Sequence, residues 1–75
     1  MLRIGVADSA LKRGIAYGDI THVIATGDYL GPIRDGLIWW IGETTDGDVI
    51  EVGAVTTTDN AIIAIHAMTI GWRMP

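Results

Sequence analysis

The chain has 75 residues, no cysteine and a formal net charge of −4, with 49% hydrophobic and only 19% charged residues. A chain this apolar folds rather than staying disordered, although it is near the lower size limit for a self-sufficient core. Disulfides and thiolate metal sites are excluded, and the acidic balance argues against strong non-specific binding to nucleic acid.

The length predicts one domain over residues 1–75. The opening Met1-Leu2-Arg3-Ile4-Gly5-Val6-Ala7-Asp8 lacks the apolar core of a signal peptide. The stretch from Ala61 to Trp72 is too short and too β-like to span a bilayer. A cytoplasmic protein without membrane association is expected. The apolar load on so short a chain further predicts surface that a partner or a second copy covers, with a homodimer through Trp39 or Trp40 and a sheet edge.

In chain order, Leu2 to Val6 alternates loosely and reads as a short first strand. Asp8 or Ser9 can cap a short helix, Ala10 to Arg13, that stops at Gly14 and needs Leu11 to pack it. A second helix, Tyr17 to Thr26, is better marked, because Ile20, Val23 and Ile24 share one face. Ile15 and Ile20 bracket a poor cap, Ala16, in the manner of a hydrophobic staple, and Asp19 sits near the positive end of the helix dipole. Gly27 ends the helix, and Asp28 to Gly36 reads as a loop.

Three strands follow, forming a meander. Leu37 to Ile41 is β-branched and aromatic, Val49 to Val55 returns, and Ala61 to Met68 makes the third. Between the first two, Asp46-Gly47 is a strong hairpin signal. As a two-residue loop it places Thr45 opposite Asp48, Trp40 opposite Gly53, Trp39 opposite Ala54 and Ile41 opposite Val52; a longer loop would bring its own register. Thr57-Thr58-Asp59-Asn60 turns the chain again. No internal repeat is read. The layout is α+β: a short N-terminal strand, then two short helices packed on one face of an antiparallel three-stranded meander.

Strong catalytic motifs are missing from the sequence. There is no glycine-rich phosphate loop, Ser9 is the only serine, and His22 and His66 lie far apart without an HExxH pattern, so neither cofactor nor metal is expected. His66, with Ile62, Ala64 and Met68 as its alternation partners, is either a hydrogen-bonded histidine on a half-buried face or a proton-transfer or RNA-contacting group. Arg34 and Arg73 are either solvated or phosphate and partner contacts. His22 lies off the apolar stripe and is expected in solvent. Trp39 and Trp40 are adjacent, so in a strand they point to opposite faces: one can be core, and the other is covered by helix, partner or tail or stands exposed.

The run Ser9-Ala10-Leu11-Lys12-Arg13-Gly14-Ile15, followed by Asp19-Ile20-Thr21-His22-Val23, resembles the helical start of small bacterial toxins of the BrnT-like type. These belong to the RelE/ParE superfamily of type II toxin–antitoxin systems. Trp40 to Val52 is similar to that family's hairpin, and Ile62 to Met68 resembles the strand after it. The resemblance covers Asp8 to Met68 and implies a sheet with helices on one face, the other face cutting messenger RNA until an antitoxin blocks it. The chain departs from the family in its charge, with Asp48 where a basic residue often follows the turn and five Lys plus Arg in all.

Two functions therefore stand side by side. One is a toxin that cleaves mRNA without a metal, with the ribosome presenting the message, His66 as acid or base and Arg34 and Arg73 as electrostatic groups. The alternative is a non-catalytic protein-interaction module of the same fold, using its apolar sheet face or edge.

Overall fold

A computed structural model describes residues 3–31 and 33–72, the side chain of Trp72 excepted. Its elements are β1 (Arg3–Val6), α1 (Asp8–Leu11), α2 (Tyr17–Thr26), β2 (Asp28–Tyr29), β3 (Ile38–Glu43), β4 (Asp48–Thr56) and β5 (Ala61–Trp72). The strands form one mixed sheet in the order β1-β5-β4-β3-β2. The meander is present as β3-β4-β5, but the sheet is wider than expected. β1 joins it parallel to β5, with Arg3 beside Ala61 and Val6 beside Ala64. Asp28–Tyr29, expected as loop, pairs antiparallel with Ile41 and Trp40. A ring pair explains this second strand, since Tyr29 and Trp40 sit directly opposite with their centroids 6.2 Å apart. β5 also runs past Met68 to Trp72.

The second helix has its expected bounds, with Ile20, Val23 and Ile24 buried and no side chain capping Ala16. These three residues lie in one cluster with Ala10, Trp40, Ile50, Val52, Ala54, Ile62, Ala64 and Ala67, which defines the covered face of the sheet. The first helix starts two residues early, at Asp8, and Ala10 rather than Leu11 packs it: Ala10 is fully buried, while Leu11 is 36% exposed. Ser9 does not cap that helix; its hydroxyl donates to the Ile65 carbonyl at 2.8 Å. No helix among the described residues is long and apolar enough to cross a membrane.

The register of the first hairpin differs by one residue from the two-residue reading. Trp39 lies opposite Gly53, Trp40 opposite Val52 and Ile41 opposite Glu51. The cause is a three-residue loop: Thr44 N–H donates to the Asp48 carbonyl at 2.8 Å and Gly47 N–H to the Thr44 carbonyl at 3.0 Å, with Gly47 at φ 88°. The Asp48 N–H also reaches Thr44 Oγ1, at 3.3 Å. The second turn repeats the device, with Thr57 N–H to the Ala61 carbonyl, Asn60 N–H to the Thr57 carbonyl and Ala61 N–H to Thr57 Oγ1. Asn60 takes the left-handed role at φ 65°. Thr44-Thr45-Asp46-Gly47 and Thr57-Thr58-Asp59-Asn60 thus make the same kind of turn, closed by a left-handed residue. The two-residue loop occurs elsewhere, at Asp35-Gly36, where φ is 55° and 76° and Arg34 and Leu37 exchange both backbone hydrogen bonds.

A Cβ at Gly47 would meet no atom within 4 Å, so the position tests backbone conformation alone. Gly47→Val is expected to lower stability by more than about 1 kcal/mol in urea denaturation, because a β-branched residue is strained at positive φ. An unchanged unfolding midpoint would contradict the turn geometry.

The edge strand β1 is held to the second turn by an exposed ion pair between Arg3 and Asp59. The Thr57 hydroxyl, and after it the Arg3 guanidinium, hold the Asp59 carboxyl below its ordinary 3.8.

Candidate functional site

The sheet face away from the helices carries the polar groups that the sequence scatters. β-Bulges determine which ones. Gly53 pairs with His66 but Ala54 pairs with Ala64, so Ile65 is an extra residue and the alternation of β5 changes phase there. Ala64 stays on the covered face, while His66 turns to the open one. The expected alignment of His66 with Ile62 and Ala64 is therefore corrected, and its same-face neighbour is Met68. The Ile65 carbonyl at the bulge is the one that accepts the Ser9 hydroxyl, so α1 fastens the backbone where the phase changes.

Trp39, Gly53 and His66 form one row across β3, β4 and β5. Gly53 is needed in the middle of that row. A Cβ there would come within 3.0 Å of two Trp39 ring carbons and of a Leu37 methyl. Without it, the indole lies across the strand and meets the His66 ring edge-on, at 5.3 Å between centroids and 65° between planes. Trp40 points the opposite way and is 9% exposed, in the core.

The residues expected at the site are His66, Arg34 and Arg73. The structure brings the first two to the same indole. The Arg34 guanidinium carbon stands 5.2 Å from the Trp39 ring centroid, and Trp39 Nε1–H donates to the Arg34 carbonyl at 3.0 Å. Such a cation–π contact contributes about 0.5–1 kcal/mol at an exposed position. The Asp35-Gly36 turn holds Arg34 in place, since the same carbonyl also accepts Leu37 N–H at 2.9 Å. Arg73 lies outside the described residues.

A member that the sequence reading missed is Glu51. It sits two residues from Gly53 on β4, and its Oε2 is 3.0 Å from His66 Nε2, with side chains 27% and 30% exposed. A signal for it existed: Glu51 is the one carboxylate inside the otherwise apolar run Val49 to Val55. An ionised carboxylate only accepts hydrogen bonds, so the neutral imidazole that faces Glu51 carries its hydrogen on Nε2 and leaves Nδ1 as the accepting nitrogen. The cluster thus unites an oriented acid–base group, a cation and an aromatic surface.

Other polar groupings lie apart from it. A cleft of about 270 Å³ between the α2 N-terminus and the first hairpin turn is lined by Arg13, Asp19, Thr44, Asp46 and Asp48. Another, of about 360 Å³, lies along β1 beside Arg3, Gly5 and Ile63. Among the described residues no three His, Cys, Asp or Glu side chains are grouped to hold a metal ion. His22 is exposed on α2, as expected. Comparisons with protein-family models, with curated proteins and with solved structures found no match to this chain.

Proposed function

We propose that the chain is the toxin of a type II toxin–antitoxin module, a metal-independent endoribonuclease of RelE/ParE-like fold that a cognate antitoxin neutralises. The observation that carries this reading is the His66–Glu51 pair at 3.0 Å, set beside Arg34 and Trp39 on the sheet face opposite the helices. The sequence resemblance assigns RNA cleavage to that same face.

In the proposed reaction His66 Nδ1 takes the proton of a ribose 2′-hydroxyl, and Glu51 stabilises the resulting imidazolium. The 2′-oxygen attacks the adjacent phosphorus while Arg34 neutralises charge on the phosphorane oxygens. The 5′-oxygen leaves and takes a proton from water, which yields a 2′,3′-cyclic phosphate and a 5′-hydroxyl. Arg73 is proposed as a second cation. With nine acidic side chains against five basic ones, intrinsic affinity for free RNA is low, and a ribosome that presents the message would supply the positioning.

The second reading, a protein-interaction module, is favoured by the exposed apolar residues Tyr29, Leu30 and Ile33 that lead into Arg34. An antitoxin, or a second copy in a homodimer, would bury them. Induced expression in a bacterial host separates the readings. Growth arrest with mapped transcript cleavage, relieved by the product of an adjoining reading frame, is expected. Arrest without cleavage would leave the interaction module as the better account, and neither effect would end the toxin reading.

A further inference from the structure

The chain contains two Asp-Gly steps, Asp35-Gly36 and Asp46-Gly47, and the fold treats them differently. An aspartate before glycine is open to attack on its own side-chain carboxyl by the next backbone nitrogen, because glycine has no Cβ to block the approach. The two atoms belong to adjacent residues, so rotation about the Asp bonds alone brings them together. Both aspartates are exposed. What separates the two steps is the attacking nitrogen. Gly47 N–H is held by the Thr44 carbonyl at 3.0 Å, inside a loop that Thr44 also closes through Asp48. Among the described residues Gly36 N–H has no acceptor, since Arg34 and Leu37 close the two-residue turn on either side of it. Asp35 is also held at φ 55°, a left-handed conformation that costs an L side chain energy. A Cβ on Gly36 would meet nothing within 4 Å, so space around the turn is open for rearrangement.

We infer that Asp35-Gly36 is a site of spontaneous isoaspartate formation, favoured over Asp46-Gly47 by its free glycine N–H, and that the change loosens the Trp39 indole. In the first step Gly36 N bonds to Asp35 Cγ. The amide proton and the carboxyl hydroxyl leave as water, which closes a succinimide ring. Water then opens the ring. Cleavage between Gly36 N and Asp35 Cγ restores aspartate. Cleavage at the main-chain carbonyl carbon instead sends the backbone through Cγ and frees the former main-chain carbonyl as a carboxylate. Mass and charge are unchanged, but the backbone between Arg34 and Leu37 has gained a methylene. A two-residue loop lets its flanking residues exchange both hydrogen bonds only at its own length. The Arg34 carbonyl, which accepts Leu37 N–H at 2.9 Å and Trp39 Nε1–H at 3.0 Å, is therefore displaced. The inference does not depend on the ribonuclease reading.

The test is incubation of the folded chain for weeks at physiological temperature. Isoaspartate is then detected by methyl transfer from S-adenosylmethionine with an isoaspartyl methyltransferase and located by peptide mapping. It should accumulate at Asp35 about fivefold faster than at Asp46, the worth of one hydrogen bond at the attacking nitrogen. In guanidinium chloride, where neither turn exists, the two rates should converge. Equal rates in the folded chain, or faster change at Asp46, would overturn the inference. A ratio that persists in denaturant would overturn its structural cause and assign the preference to flanking sequence. In NMR spectra of the aged sample, a second Trp39 indole signal should grow in step with isoaspartate at Asp35. An indole signal that stays single while that product accumulates would overturn the link to Trp39.

Discussion

His66→Ala is expected to reduce transcript cleavage by about ten- to a thousandfold while the chain stays folded. The size follows from what the side chain would do. In the proposed reaction His66 would accept the 2′-hydroxyl proton, and no second histidine lies near to replace it, since His22 is on α2. Folding is spared because the His66 side chain is 30% exposed and lies outside the buried cluster. Glu51→Gln keeps a hydrogen-bonding group of the same shape but removes the charge that stabilises the imidazolium, so a smaller loss is expected. Arg34→Lys is the informative partner to Arg34→Ala: it keeps the charge and loses the planar group over Trp39. Cleavage assays with each variant, checked by thermal melts, decide the matter. If His66→Ala and Arg34→Ala both fold and cleave as the parent does, the site lies elsewhere.

The largest expected effect on stability comes from Gly27→Ala, at about 3 kcal/mol, the upper end for overpacking. A chain of this size has only about 4–11 kcal/mol of net stability, so the variant should be visibly less stable in urea. Gly27 is not there for a left-handed conformation, because it closes α2 at φ −76° and ψ 176°. Contact requires it. A Cβ would stand 2.6 Å from the Val23 carbonyl oxygen and 2.7 Å from that of Ile41, and both are backbone atoms that cannot swing aside. Facing it, a Cβ on Gly42 would come 3.1 Å from the Gly27 Cα. The two glycines therefore set how closely the end of α2 approaches β3. Gly18→Ala in the same helix is the control: its Cβ meets nothing within 4 Å, and a gain of about 0.5–1 kcal/mol is expected from helix propensity. Equal midpoints for Gly27→Ala and the parent would refute the close approach.

Much of the local structure was legible in the residues themselves. The spacing of Ile20, Val23 and Ile24 marked α2, because a helix face repeats within a few residues whatever packs on it. The threonine–aspartate turns marked the ends of the meander strands. Adjacency alone put Trp39 and Trp40 on opposite faces. His66 and Arg34 could be singled out as a rare histidine in an apolar strand and an arginine beside a turn. Their meeting at one indole could not, since it depends on Gly53 leaving the row open between β3 and β5.

What the residues could not set by themselves was phase. Alternation along a strand has period two, so one residue more in a loop, or one bulge, exchanges every inward and outward side chain beyond it. The loop at Thr45-Asp46-Gly47 has three residues rather than two, which places Glu51 on the same face as Trp39. The bulge at Ile65 turns His66 to that face as well. Each choice is small in local energy and is decided by burial of Ile50, Val52, Ala54, Ala64 and Ala67 against the helices, a contact between distant parts of the chain. The parallel pairing of β1 with β5 is equally non-local, because it joins residues at opposite ends of the sequence. Sequence alone thus determined the helix, the turns and the three-stranded meander, whose causes lie within a few residues. Only the tertiary structure decided the register, the sheet order and the Glu51–His66 pair, because they follow from which apolar face the whole chain can bury.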